Sequence, residues 1–130
     1  MRTVYGCLVV FFGAGVGGVL RHLTNLASLR LVGPDLPLST FLVNVLGSLS
    51  VGCIAGYFAV RGHGSQAVQL FLMTGILGGF TTFSAFSLEA ALLWERGQVA
   101  SCVLFVVGSV MLSIAGVFAG LFLIRSWHAV

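Results

Sequence analysis

Charge is what this sequence has least of. Of its 130 residues only 7% are Asp, Glu, Lys or Arg, and not one is lysine. A soluble domain carries about a quarter charged residues, so this chain lacks the polar groups to cover itself in water. Proline is almost missing too, with Pro34 and Pro37 close together and none elsewhere. The three cysteines, Cys7, Cys53 and Cys102, lie in apolar surroundings at spacings that fit neither a metal motif nor a disulfide framework, and are read as small buried hydrophobes. No nucleophile–base pair or metal cluster can be assembled from what remains, so an enzyme is not expected. The net charge of +3 comes from six arginines. It is a weak hint of anion attraction, since basic loops usually serve topology, and nucleic-acid binding is not expected.

The missing charge leaves four long uncharged stretches: Val4–Leu20, Leu36–Val60, Ala67–Leu88 and Val99–Ile124. Roughly 20 such residues cross a bilayer core as a helix. The first stretch borrows from its flanks and the others suffice alone. The expected fold is therefore an all-α integral membrane domain of four transmembrane helices, with spans near 4–25, 36–60, 67–94 and 99–125. Arg2 before an apolar run resembles a secretory signal, but no A-x-A-like cleavage site follows. The segment is read as a retained first helix.

The expected connections are short: Ser28–Asp35, Arg61–Gln66 and Glu95–Gln98. They leave no room for an extramembrane domain. Pro34 and Pro37 flank the start of span two, where a missing N–H does least harm. Trp94 and Trp127 sit near span ends, as interfacial aromatics tend to. Arg2, Arg61 and Arg125 fall on one face, and Arg21, Arg30 and Arg96 on the other. That balance gives the positive-inside rule nothing to choose between. Insertion in both orientations, and with it an antiparallel dual-topology homodimer, is the favoured reading. Orientation set by a few residues of the first helix is the alternative. Each span also carries a glycine pair four apart, Gly13/Gly17, Gly52/Gly56, Gly75/Gly79 and Gly116/Gly120, which lets another helix backbone approach closely.

Span three differs from the rest. It contains Gly78-Gly79-Phe80-Thr81-Thr82-Phe83-Ser84-Ala85-Phe86-Ser87-Leu88-Glu89. A Gly-Gly pair followed by two β-branched threonines is poor helix material. Within a bilayer, irregular backbone is tolerated only where it is buried in protein or lines a wet cavity, and freed carbonyls at mid-membrane can hold ions. A break near Gly78–Thr82, with carbonyls offered to a cation, is one reading. An unbroken helix with packing glycines and back-bonded threonines is the other.

Phe83 and Phe86, three apart, share a helix face. Such a pair is core or lipid-facing by default, but the positive edges of aromatic rings could also hold a small anion without trapping it. Thr40, Asn44 and Ser48 form a polar stripe on span two, and Ser101, Phe105, Ser109 and Ser113 a similar one on span four. Asn44 could be glue between helices or a donor to an anion. The serines could bond only their own backbone. Arg21 at the end of span one could snorkel or concentrate anions at a vestibule. Glu89 could pair with an arginine, cap a polar network or carry protons. His22 and His63 receive no role, and Asp35 and Glu95 read as loop charges.

Gly13-x-x-x-Gly17-Gly18-x-x-Arg21, Thr40-x-x-x-Asn44-x-x-Gly47-Ser48 and Gly78-Gly79-x-Thr81-Thr82-Phe83-Ser84-x-Phe86-Ser87-x-Glu89 together resemble the fluoride channel family called Fluc or CrcB. The resemblance spans nearly the whole chain, and the GG-x-TTFS-x-FS-x-E stretch is its specific part. It implies an antiparallel dimer with two fluoride pathways, exporting fluoride passively from the cytoplasm across a bacterial inner membrane. By position, Phe83 and Phe86 would coordinate fluoride through their ring edges and Asn44 would anchor the polar end of the path. Gly78 and Thr81 would give backbone carbonyls to a structural sodium ion at the dimer centre. Thr40, Arg21, Ser84, Glu89, Ser109 and Ser113 would line the route or its vestibules. Two departures stand out: His22 where an aromatic commonly follows the arginine, and Phe105 where members can carry tyrosine. The rival is a small dual-topology proton-coupled exporter of organic cations. Those proteins depend on an acidic residue in span one, which this chain lacks.

Overall fold

The computed structural model describes residues 2–62 and 65–127; His63 lies outside them. Four helices are long and apolar enough to cross a membrane among the described residues. They are α1 (Arg2–Leu31), α2 (Leu38–Arg61), α3 (Gln66–Glu95) and α4 (Val99–Trp127). The chain is an all-helical, four-span membrane domain.

The ends follow from local chemistry. α1 runs to Leu31 and takes in residues 28–31 of the expected first connection, because nothing between Arg21 and Leu31 opposes a helix. It stops where Gly33 adopts a left-handed φ of 87° and Pro34 follows. α2 stops in the same manner at Gly62, whose φ of 64° turns its N–H back onto the Phe58 carbonyl. Glycine takes such a conformation without a Cβ penalty.

Most of the large apolar side chains face outward. Phe11, Phe118 and Phe122 are each about 70% exposed. In water this would be ruinous, but in a bilayer hydrocarbon covers them and the hydrophobic effect does not drive helices together. The interior is correspondingly small, with Val43 fully buried and a cluster of Phe86, Leu93, Cys102 and Phe105 between α3 and α4.

Glycine contact does the holding instead, and it sorts the helices into two pairs. A Cβ on Gly13 would lie 2.8 Å from the Gly75 Cα, and one on Gly17 or Gly79 would strike the backbone of Ile76 or Ala14. α1 and α3 thus meet backbone to backbone. Gly52 meets the Val117 carbonyl, and a Cβ on Gly120 would lie 2.6 Å from the Cys53 N, so α2 and α4 meet likewise. Two of the expected glycine pairs, Gly13/Gly17 and Gly75/Gly79, have both members on such a seam. In the other two one member fits more loosely: a Cβ on Gly116 would stand 3.3 Å from the Leu49 N, and one on Gly56 3.2 Å from the Ile124 side chain.

α3 is not one regular helix. An α-helical turn at Gln66–Gln69 passes into a π-helical stretch at Leu70–Leu77, then into α-helix at Gly78–Phe80. Two residues then leave helical geometry, Thr81 (φ −78°, ψ 160°) and Thr82 (φ −154°, ψ 120°), before helix resumes at Phe83–Glu95. The expected interruption near Gly78–Thr82 is therefore narrower than the sequence indicated. Gly78 and Gly79 remain helical, Gly79 lying directly against Ala14 of α1, and the bend falls on the two threonines.

Candidate functional site

The bend opens a groove of about 370 Å³ bounded by α2, α3 and α4. Asn44, Thr81, Phe83, Phe86, Ser109 and Ser113 line it together. These are residues the sequence singles out from three separate spans. Ser48 and Thr82 line the groove as well. Ser48 was visible as the third member of the span-two stripe, and Thr82 as part of a helix-breaking pair and as a polar neighbour of the two phenylalanines.

At the bend, side chains take over the hydrogen bonds that the helix loses. Thr82 donates its backbone N–H to Asn44 Oδ1 at 2.8 Å, and Asn44 Nδ2 donates to the Thr82 carbonyl at 3.0 Å. Thr82 Oγ1 accepts from the Ala85 N–H at 3.2 Å and so caps the second half of α3, as threonine commonly does at a helix start. The Thr81 N–H and hydroxyl both donate to the Leu77 carbonyl, at 3.0 and 2.9 Å. Arg21 reaches the same place from α1, its Nη1 donating to the Thr81 carbonyl at 3.4 Å. Ser84 is exposed and stays near the bend, its hydroxyl 3.3 Å from Thr82 Oγ1.

Phe83 and Phe86 are the aromatic lining of the groove, and Phe105, outside it, packs on Phe86 to make a row of three rings. The centroids of Phe83 and Phe86 lie 5.5 Å apart, and those of Phe86 and Phe105 lie 5.2 Å apart. Phe83 is 78% exposed while Phe86 is 9% exposed. One ring is thus open to whatever occupies the groove and the other is fixed by packing. One turn beyond Phe105 on α4, the hydroxyl of Ser109 is buried and has no hydrogen-bond partner among the described residues. A buried polar group left so is costly.

Thr40 and Glu89 lie apart from this groove. Thr40, itself buried, donates its hydroxyl to Glu89 Oε1 at 2.9 Å. Glu89 lines a smaller cleft of about 150 Å³ with Asn25, Ser28, Asp35, Ser39 and Arg96. That cleft sits where α1 and α3 end and α2 begins, so it opens at the edge of the membrane domain. Glu89 Oε2 has no hydrogen-bond partner among the described residues. Thr40→Val is expected to destabilise the fold by about 1–3 kcal/mol, since it removes the donor from a largely buried carboxyl oxygen. Thermal unfolding in detergent, with Thr40→Ser retaining the wild-type midpoint, checks this.

Four apolar spans, a bent helix at mid-domain and a groove lined by hydroxyls, an amide, two phenylalanine rings and aliphatic side chains define a multi-pass membrane protein. The family model described as CrcB-like protein, Camphor Resistance (CrcB), matches residues 8–121. A protein of Rhodopseudomonas palustris (strain BisB5) named fluoride-specific ion channel FluC is 61% identical over 119 residues, which is 92% of this chain and 96% of its own. One of the same name from Methylobacterium nodulans is 59% identical over 120 residues, covering 92% and 96%. A further relative, fluoride-specific ion channel FluC 2 of Nitrobacter hamburgensis, is 52% identical over 118 residues, covering 91% and 95%. The chain belongs to the CrcB-like family.

Proposed function

We propose that this protein is a fluoride-selective ion channel that lets fluoride leave the bacterial cytoplasm passively, and that it acts as an antiparallel dual-topology homodimer with two pathways. The observation that carries the reading is the composition of the groove. It offers hydroxyls, an amide and ring edges, and no full positive charge. Fluoride is small and strongly hydrated, so a pathway must replace its water with donors, yet a buried cation would hold it too tightly to pass. Ring edges carry only partial positive charge, and a conducting site must bind weakly enough to release. The names of the 61% and 59% identical relatives point to the same ion.

Phe83 and Phe86 form the gate in this reading, with Asn44, Ser109 and Ser113 beside it. Thr40 and Glu89 mark the end of the route at the polar cleft, and Arg21 and Ser84 stand at the bend. Ser109→Ala is expected to leave the unfolding midpoint nearly unchanged, because its hydroxyl has no protein partner to lose. It is expected to slow fluoride efflux from liposomes. Wild-type efflux in a folded Ser109→Ala protein would remove this hydroxyl from the pathway.

The carbonyls of Gly78 and Thr81 suit a structural sodium ion shared with a second copy. In an unbroken helix they would accept from Thr82 and Ala85, four residues on. Those two N–H groups are taken instead by Asn44 Oδ1 and Thr82 Oγ1, so both carbonyls lose their helical donors. The Thr81 carbonyl accepts from Arg21 Nη1 at 3.4 Å and keeps a second lone pair for an ion. Neutral carbonyls without an acidic partner match a monovalent ion, and no group of three His, Cys, Asp or Glu residues forms a metal cluster among the described residues. Bound there, sodium would fix the two bends against each other.

The rival, a proton-coupled exporter of organic cations, needs a membrane-embedded acid in span one, and α1 has none. Expression in a bacterium stripped of its own fluoride exporters tests the proposal. Restored growth in fluoride medium supports it, and growth no better than the empty vector speaks against it.

A further inference from the structure

We infer that Asn44 is the positioning residue that holds the bend of α3, and through it the two phenylalanines, in place within a single subunit. This deepens the channel reading, since it rests on Phe83 and Phe86 forming the gate.

The case starts from what the bend leaves behind. Extended geometry at Thr81 and Thr82 removes Thr82 from the helical ladder, and both its backbone groups then need partners inside an apolar protein. An unpaired peptide group there is strongly unfavourable. Asn44 satisfies both at once, with Oδ1 accepting from the Thr82 N–H and Nδ2 donating to the Thr82 carbonyl, at 2.8 and 3.0 Å. A primary amide is the smallest side chain that carries an acceptor and a donor side by side to match a backbone N–H and C=O. Serine or threonine could not make this two-point clasp, and aspartate supplies only the acceptor half.

The clasp has consequences on either side. Toward the N-terminus, it takes the Thr82 N–H away from Gly78 and frees that carbonyl. Toward the C-terminus, it fixes the residue that caps the helix Phe83–Glu95. Phe83 follows Thr82 directly, and Phe86 lies one turn further along the same helix, its ring 5.5 Å from that of Phe83. Asn44 is itself anchored on α2, which sits against α4 through Gly52 and Gly120. The chain of support therefore runs from the α2–α4 seam, through one amide, to the ring row. With one Nδ2 hydrogen committed to Thr82, the second is left at a fixed angle on a residue that lines the groove. Asn44 is thus a clasp first, and any donation to a passing anion uses only its remaining hydrogen.

The test is made without fluoride and without flux, so it stands or falls separately from the channel reading. Amide hydrogen exchange is followed by NMR in micelles for wild type, Asn44→Ala and Asn44→Asp, with 4-fluorophenylalanine at position 86 as a ring reporter. In the wild type the Thr82 amide is expected to exchange about tenfold more slowly than those of Phe83 and Ser84, which head a helix and have no partner, a factor in line with one net hydrogen bond. Asn44→Ala is expected to erase that difference and to shift or broaden the fluorine signal. Asn44→Asp is expected to keep part of the Thr82 protection, since it retains an acceptor, and still to disturb the ring. An unchanged Thr82 amide and an unchanged ring signal in a folded Asn44→Ala protein would overturn the inference. Should neither variant fold, the wild type decides: a Thr82 amide exchanging as fast as Phe83 and Ser84 overturns it, and a protected one upholds it.

Discussion

Phe86→Leu, reconstituted in liposomes, is expected to release fluoride no faster than liposomes without protein, while its fold survives. Leucine keeps much of the apolar volume at a position that is 9% exposed and packed against Phe105. The loss of stability should stay well below the ~3–5 kcal/mol typical of a buried Phe→Ala change. What leucine cannot supply is the ring quadrupole, whose positive edge can stand in for water around an anion. Phe83→Leu separates the two contributions further. Phe83 is 78% exposed in the subunit, so its replacement should leave the unfolding midpoint within about 0.5 kcal/mol of wild type and still cut efflux. A Phe86→Leu channel that conducts like wild type would show that the ring is merely packing.

Gly52→Val is expected to have the largest effect on assembly of the fold. Gly52 touches the carbonyl of Val117 across the α2–α4 seam, and a Cβ at that position falls on backbone atoms that no rotamer change can move. Overpacking of an interior ordinarily costs about 1–3 kcal/mol, and separating two membrane helices should exceed the upper end of that range. The expected outcome is aggregated or degraded protein on size-exclusion chromatography. Gly15→Val is the control, because a Cβ on Gly15 meets nothing within 4 Å, and it should elute as wild type does. If Gly52→Val also elutes as wild type does, the α2 and α4 backbones do not meet at this glycine.

Much of this architecture could be read from the chain, because a bilayer writes itself into composition. Twenty uncharged residues in a row permit one structure, and the four spans follow. The bend was visible in outline in Gly-Gly-x-Thr-Thr, since glycine and β-branched residues weaken a helix. Its position on Thr81 and Thr82 was not visible. It is set by Asn44, 38 residues away in sequence, and by the need of Gly79 to lie against Ala14. The π-helical run Leu70–Leu77 leaves no mark in an apolar sequence at all. Which glycine pair faces which is equally hidden, because every span carries the same motif. The groove was legible as three polar stripes, but the placing of Glu89, with Thr40 bonded to it, outside that groove and on a second cleft depends on how the helices pack, which no spacing within one helix records.

Ion-selective electrodes applied to proteoliposomes test the central claim most directly. Vesicles loaded with equal potassium fluoride and potassium chloride, and containing the purified folded protein, are diluted into medium without either anion, with a potassium ionophore present to carry the balancing charge. The account predicts rapid loss of fluoride with chloride retained. Fluoride retained as in protein-free vesicles, or chloride released alongside it at a comparable rate, would contradict a fluoride-selective pathway through this groove.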